Sequence, residues 1–135
     1  MSKPVLFSNT LKVRMHDTDL AGVIYFAKQF RFAHDTWEEF LDTHGYNIHS
    51  LIRGEDYSFA VVHAEADFFS PLIAGDILRV DLSIPRVGES SFTTAYEIFK
   101  EEKRVGRVEI VFVCINQKSR VKQSIPKEFM VIIGS

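Results

Sequence analysis

HDTDLAGVIYFAKQFRFAHDTWEEFLDTHG, residues 16–45, changes its hydrophobic period partway along, and that change decides how the chain folds. Upstream, from Leu11 to Met15, apolar residues alternate with Lys12 and Arg14, the period-two pattern of a half-buried strand. Beyond Gly22, Phe26, Phe30, Ala33, Trp37, Phe40 and Leu41 recur at helical spacing. Lys28, Arg31, Asp35, Glu38 and Asp42 fall elsewhere on the wheel. The spacing predicts a helix over Val23–His44, ended by Gly45. At about 22 residues that helix is roughly 33 Å long, with Phe26, Phe30, Trp37 and Phe40 supplying the bulk of a core. The junction between strand and helix is polar, and it carries two carboxylates.

Downstream the strand signal dominates. GYNIHSLIRGEDYS, 45–58, reads as a loop that can contain a short helix. In SFAVVHAEADFF, 58–69, alternation puts Ala60, Val62, Ala64, Ala66 and Phe68 on one face. Phe59, Val61, His63, Glu65, Asp67 and Phe69 take the other. ILRVDLSI, SFTTAYEIFK and RVEIVFVCI follow as an antiparallel meander, with SPLIAGD and EEKRVG as turns. SIPKEFMVII near the end reads as a terminal helix or edge segment. The order of one strand, one long helix and four strands predicts a single α+β domain over 1–135, an antiparallel sheet around one helix. Val61, Phe69 and Val111 exceed what one helix can cover, so a second subunit is expected.

Composition narrows the function. With 16 basic and 18 acidic residues, net charge −2 and no dense Lys/Arg block, the chain lacks the footprint of a nucleic-acid binder. No apolar run approaches the roughly 18 residues a membrane span needs. MSKPVLFSNT, 1–10, lacks a secretory signal pattern, and the single Cys114 precludes an internal disulfide; a cytoplasmic protein is expected. No H-E-x-x-H, G-x-S-x-G or phosphate-cradling glycine loop occurs, so neither a metal nor a serine nucleophile is indicated. Cys114, flanked by Val113 and Ile115, reads as packing.

What remains is a carboxylate beside the start of a long helix. The first N–H groups of a helix lack partners and carry partial positive charge, so they can hold an anion or a developing oxyanion. A carboxylate there can simply cap the helix, stabilising it by about 1 kcal/mol. Alternatively, with a substrate carbonyl on those amides, it can attack the carbonyl carbon or activate water. The residues alone leave both readings open.

DTDLAGVIYFAKQFRFAHDTWEEFL resembles the signature of the 4-hydroxybenzoyl-CoA thioesterase family, in which Asp, a variable residue, Ala and Gly lead into the long helix of a hotdog fold. FAVVHAEADFFSPLIAGDILRVDLSI is similar to the family's second and third strands, and VHAEADFFSP resembles the subgroup acting on 1,4-dihydroxy-2-naphthoyl-CoA. The resemblance implies a dimer or dimer of dimers, interface active sites and an aromatic acyl-CoA substrate such as 1,4-dihydroxy-2-naphthoyl-CoA or 4-hydroxybenzoyl-CoA. CoA is then part of the substrate, and no cofactor is needed. It further implies Asp19 as the catalytic carboxylate, Asp17 as its support, the Phe26 N–H as oxyanion donor and Tyr25 as an acyl contact. His63 is a candidate substrate contact and Arg86 a candidate for the CoA phosphates, since PRVGESSF keeps only that cation where one family member has a basic cluster. Lys118, Arg120 and Lys122 are alternatives. A hydratase on the same fold pairs its acid with a loop histidine, which DLAGVIYF lacks. A non-catalytic thioester-binding dimer is the other alternative.

Overall fold

A computed structural model describes residues 4–46 and 56–134. Along them run β1 (Phe7–Lys12), a 3-10 turn (Met15–Asp17), α1 (Lys28–Thr43), β2 (Tyr57–Phe68), β3 (Ile77–Val87), β4 (Ser91–Lys100), β5 (Lys103–Asn116) and a terminal helix α2 (Lys127–Ile132). The short helix expected within 45–58 falls largely on 47–55, outside the described residues. All five strands join one antiparallel sheet in the order β1-β3-β4-β5-β2. The meander β3–β4–β5 is its centre. The 69–76 connection therefore crosses the sheet, and β2 becomes a free edge of 12 residues.

One face of the sheet is covered by α1. Its buried residues, Gln29, Phe32, Ala33, Thr36, Trp37, Phe40 and Leu41, repeat every three or four positions, so they share one side of the helix. Trp37 stacks near Phe112 at 5.5 Å and meets Phe92 at 5.7 Å, and Phe129 of α2 closes on the same cluster at 6.3 Å from Trp37. Leu78, Val80 and Leu82 of β3, Tyr96 and Ile98 of β4, and Val108, Ile110 and Cys114 of β5 are buried on the helix side. At the far end of α1, Gly45 adopts φ +80°, and the amides of Gly45 and Tyr46 bond back to Asp42 and Leu41. That left-handed turn is the glycine stop read from the sequence.

The helix starts five residues later than the periodicity predicts, at Lys28 rather than Val23. Long-range bonds claim the intervening backbone: the Ile24 amide donates to Leu72 O at 2.9 Å and the Tyr25 amide to Asp17 O at 2.8 Å. Phe26 consequently leaves the core and is 61% exposed, Phe30 is only half-buried, and Phe32 takes the central place. β1 covers Phe7–Lys12 rather than Leu11–Met15, because Met15 already belongs to the 3-10 turn. A second correction concerns β2. A bulge between Val61 and His63 shifts its register against β5, so Phe59 and Val61 lie on the same side as Ala64, Ala66 and Phe68. Ala60 therefore faces away from α1, with His63, Glu65 and Asp67.

Candidate active site

Asp17 roots the strand-to-helix junction. Its side chain is wholly buried, and its carboxylate accepts the Arg14 amide at 2.8 Å, Arg31 Nε at 3.0 Å and Arg31 Nη2 at 2.6 Å. Burial pushes this carboxyl upward. The bonds from Arg31 and Arg14, with the charges of Arg31 and His16, outweigh that effect and hold it below the ordinary value. Its backbone carbonyl holds the Tyr25 amide, Thr18 bridges to Ile24, and the Asp19 amide donates to Val23 O at 2.9 Å. Residues 17–25 thus form a closed, hairpin-like loop. Gly22 near its tip sits at φ +83°, where a Cβ would have room but not the conformation.

Asp19 stands on this loop with an exposed side chain. Its Oδ1 accepts the Ala21 amide at 2.8 Å, an Asx turn, and its other oxygen has no partner among the described residues. The capping alternative therefore fails: α1 has Ala27 at its N-cap with no side-chain cap bond. A spare carboxylate oxygen is what nucleophilic or basic chemistry uses.

Immediately past the loop, Lys28 donates to Tyr25 O at 2.8 Å and Phe30 to Ala27 O at 3.2 Å, so the chain turns into α1. The amides of Phe26 and Ala27 donate to no acceptor among the described residues. They lie at the positive end of α1, where negative charge on oxygen is stabilised. The Phe26 side chain joins Val23, Ile24, Phe68, Phe69, Ser70 and Pro71 around an apolar cavity of about 320 Å³. The Tyr25 ring lies 4.8 Å from that of Phe26 and is about half exposed.

Asp19, Tyr25 and Phe26 thus belong to one continuous loop. His63 and Arg86 lie elsewhere. His63 is opposite Val111, Val111 opposite Thr93 and Thr93 opposite Arg86, a row across the face of the sheet that points away from α1. Arg86 borders a larger cavity on that face, about 520 Å³, together with Arg104, Arg107, Glu97 and Glu109. Arg104 pairs with Glu97 and Arg107 with both acids, so these cations are already neutralised. Cys114 is buried, which pushes its thiol up and away from nucleophilic use. Among the described residues no group of His, Cys, Asp and Glu converges as a metal-ion site, and no helix is long and apolar enough to cross a membrane.

Two residues at the site escaped the sequence reading. Gln29, buried in the first turn of α1, donates from Nε2 to the carbonyls of Asp67 at 2.8 Å and Arg107 at 3.3 Å, tying the helix start to β2 and β5. Its signal was a polar residue one turn before Ala33 on the apolar stripe. Phe68 read as a face residue of β2, and only the sheet order brings it beside Phe26.

Residues 13–133 match the thioesterase-like superfamily. A 1,4-dihydroxy-2-naphthoyl-CoA hydrolase of Nostoc punctiforme is 35% identical over 124 residues, covering 92% of this chain and 84% of that protein. The protein of the same description from Acaryochloris marina is 35% identical over 127 residues, covering 92% and 93%. Among solved structures, a 1,4-dihydroxy-2-naphthoyl-CoA thioesterase from Synechocystis superposes with a TM-score of 0.88 at 32% identity, covering 94% of each chain. By that extent of match the chain belongs to the thioesterase-like superfamily, in its hotdog form.

Proposed function

We propose that this protein hydrolyses an aromatic acyl-CoA thioester, with 1,4-dihydroxy-2-naphthoyl-CoA as its substrate. A thioester hydrolase is what its family and its relatives of 35% identity make it; the acyl group is inferred from the substrate of those relatives and from the aromatic cavity. One observation carries the reading: a carboxylate with a spare oxygen and two amides without an acceptor among the described residues stand on one short segment, residues 19–27, whose Phe26 lines an apolar cavity with Phe68 and Phe69.

In this reaction the thioester carbonyl oxygen accepts the Phe26 N–H, which polarises the bond and holds charge as it builds on oxygen. Asp19 then either attacks the carbonyl carbon, forming an anhydride that water opens, or takes a proton from the attacking water. Either route breaks the carbon–sulfur bond, releasing CoA thiolate and the free acid. Tyr25 and the aromatic wall receive the acyl ring.

The β2 edge supports self-association. Val61, Val62 and Phe68 are each about half exposed along it, and an unpaired apolar edge strand invites a second strand. A copy paired antiparallel there continues the sheet and sets the His63 face of one subunit beside that of the other. His63 as a substrate contact and Arg86 as a CoA-phosphate contact then require the substrate to reach across this boundary. Pairing of two such dimers and a cytoplasmic location complete the proposal.

Thiol release from a panel of aromatic and aliphatic acyl-CoAs tests it, comparing wild type with Asp19→Asn. The expected result is preference for the dihydroxynaphthoyl thioester and a loss in kcat of at least about 100-fold in the variant, in the range for removing an essential reacting group. Equal hydrolysis by the two proteins refutes the assignment of Asp19. Binding of the thioesters without thiol release refutes catalysis.

A further inference from the structure

Arg31 holds none of the reacting atoms, yet it grips the root of the loop that carries them. It lies in the first turn of α1. Its guanidinium forks onto both oxygens of the buried Asp17 and spends its remaining arm on Asp35, Nη1 to Oδ2 at 2.5 Å. Asp17 in turn holds the Tyr25 amide through its own carbonyl at 2.8 Å. Asp19 is two residues beyond Asp17, and Phe26 is one residue beyond Tyr25. A single clamp therefore sits at the point where both arms of the loop meet, one arm leading to the carboxylate and the other to the free amide.

The geometry suits arginine and no other cation. A planar fork bonds two carboxylate oxygens at once and fixes their orientation, while a lysine ammonium is a point charge that tolerates rotation about it. Beyond the clamp, Ile24 is buried with its amide on Leu72 O, while the tip at Leu20 is fully exposed and is closed only by local bonds between Asp19 and Ala21, Gly22 and Val23. We infer that Arg31 is a positioning residue for the reaction: through Asp17 it sets the Asp19 carboxylate and the Phe26 N–H at a fixed spacing around one carbonyl group. This rests on the thioesterase reading, which asks both groups to act on the same carbonyl. Reacting groups held near attack distance are sensitive to displacement, about 100-fold in rate for roughly 1 Å.

The test pairs amide hydrogen exchange with steady-state kinetics on Arg31→Lys, both taken well below the unfolding temperature of the variant. Exchange at the Asp19 and Tyr25 amides is expected to accelerate at least about 10-fold more than at Trp37 in mid-helix, the mark of local rather than global opening. With it, kcat falls about 10- to 100-fold while KM stays within about 3-fold, the pattern for lost transition-state geometry. Uniform acceleration of exchange, or a lowered unfolding temperature with unchanged kcat, makes Arg31 merely structural and overturns the inference. A raised KM at constant kcat overturns it in favour of substrate binding. Where Arg31→Lys does not unfold cooperatively, Asp17→Asn, which keeps the shape and removes the charge, carries both measurements. If the wild type releases thiol from no acyl-CoA, the thioesterase reading falls, and exchange alone still decides whether the clamp governs the loop.

Discussion

Among the described glycines only Gly106 leaves no room for a Cβ, and replacing it with alanine gives a sharp check on how the start of α1 is held. It lies on β5 opposite Phe68, under the helix. A Cβ added there would come within 2.7 Å of Gln29 Oε1 and 2.9 Å of its Cδ and Nε2. The Gln29 amide is buried and cannot retreat without leaving the Asp67 and Arg107 carbonyls. Two hydrogen bonds are each worth about 1 kcal/mol net, and a buried amide left unmatched adds about 1 more, so Gly106→Ala costs about 3 kcal/mol. For a chain of this length that is roughly 10 °C in Tm. Removing the obstacle removes most of the penalty: in a Gln29→Ala background, Gly106→Ala should cost less than about 0.5 kcal/mol, since alanine is otherwise less costly than glycine within a strand. The assay is thermal unfolding of the four proteins at one fixed concentration, because an associating protein has a concentration-dependent Tm. A Gly106→Ala protein within about 2 °C of wild type, or an equal loss in both backgrounds, refutes the reasoning, since contacting residues must couple.

The other expectations are simpler. Asp17 has a folded pKa below its ordinary value, so its stabilisation is complete above the unfolded pKa of about 3.9 and is lost as pH falls through the folded value. Asp17→Asn should therefore lower stability at pH 7 by about 2 kcal/mol, less than for a fully buried pair because the Arg31 side chain is 34% exposed. It should also flatten the acid limb of stability against pH, as chemical denaturation from pH 2 to 7 will show. Cys114, buried on β5 with its thiol pushed up, should ignore a thiol reagent in the native protein and react at the rate of unfolding, read by adding denaturant.

Local signals in this chain were reliable where one interaction distance governs. β4 runs over Ser91–Lys100, the stretch SFTTAYEIFK whose Thr and aromatic content predicts a strand. Gly45 ends α1 because a left-handed turn is written into a single residue. The start of α1 was not legible in the same way. Val23 to Phe26 continue the helical spacing, but bonds to Leu72 and Asp17 keep that backbone out of the helix, and neither partner is marked in the periodicity. The β2 bulge was hidden for a related reason: Ala60 to Val62 are similarly small and apolar, so a slip of one residue leaves no trace in the pattern.

The same division runs through the site. Asp19, Tyr25 and Phe26 lie within one loop of chain, so helix physics and a short motif were enough to gather them. Helix physics did not distinguish Asp19 from Asp17, two similar carboxylates in one turn; only the resemblance of the Asp19–Gly22 motif did. Arg31 and the Arg14 amide make the difference, since they occupy both oxygens of Asp17 and leave one oxygen of Asp19 open. The aromatic wall is more distant still. Phe68 and Phe69 reach Phe26 only because β2 crosses to the far edge and pairs with β5, and Gln29 can fasten the helix start to that edge only because Gly106 lacks a side chain. A carboxylate and two amides can thus be carried by a short segment, but the spacing between them and the substrate wall is a property of sheet order, which no window of the sequence contains.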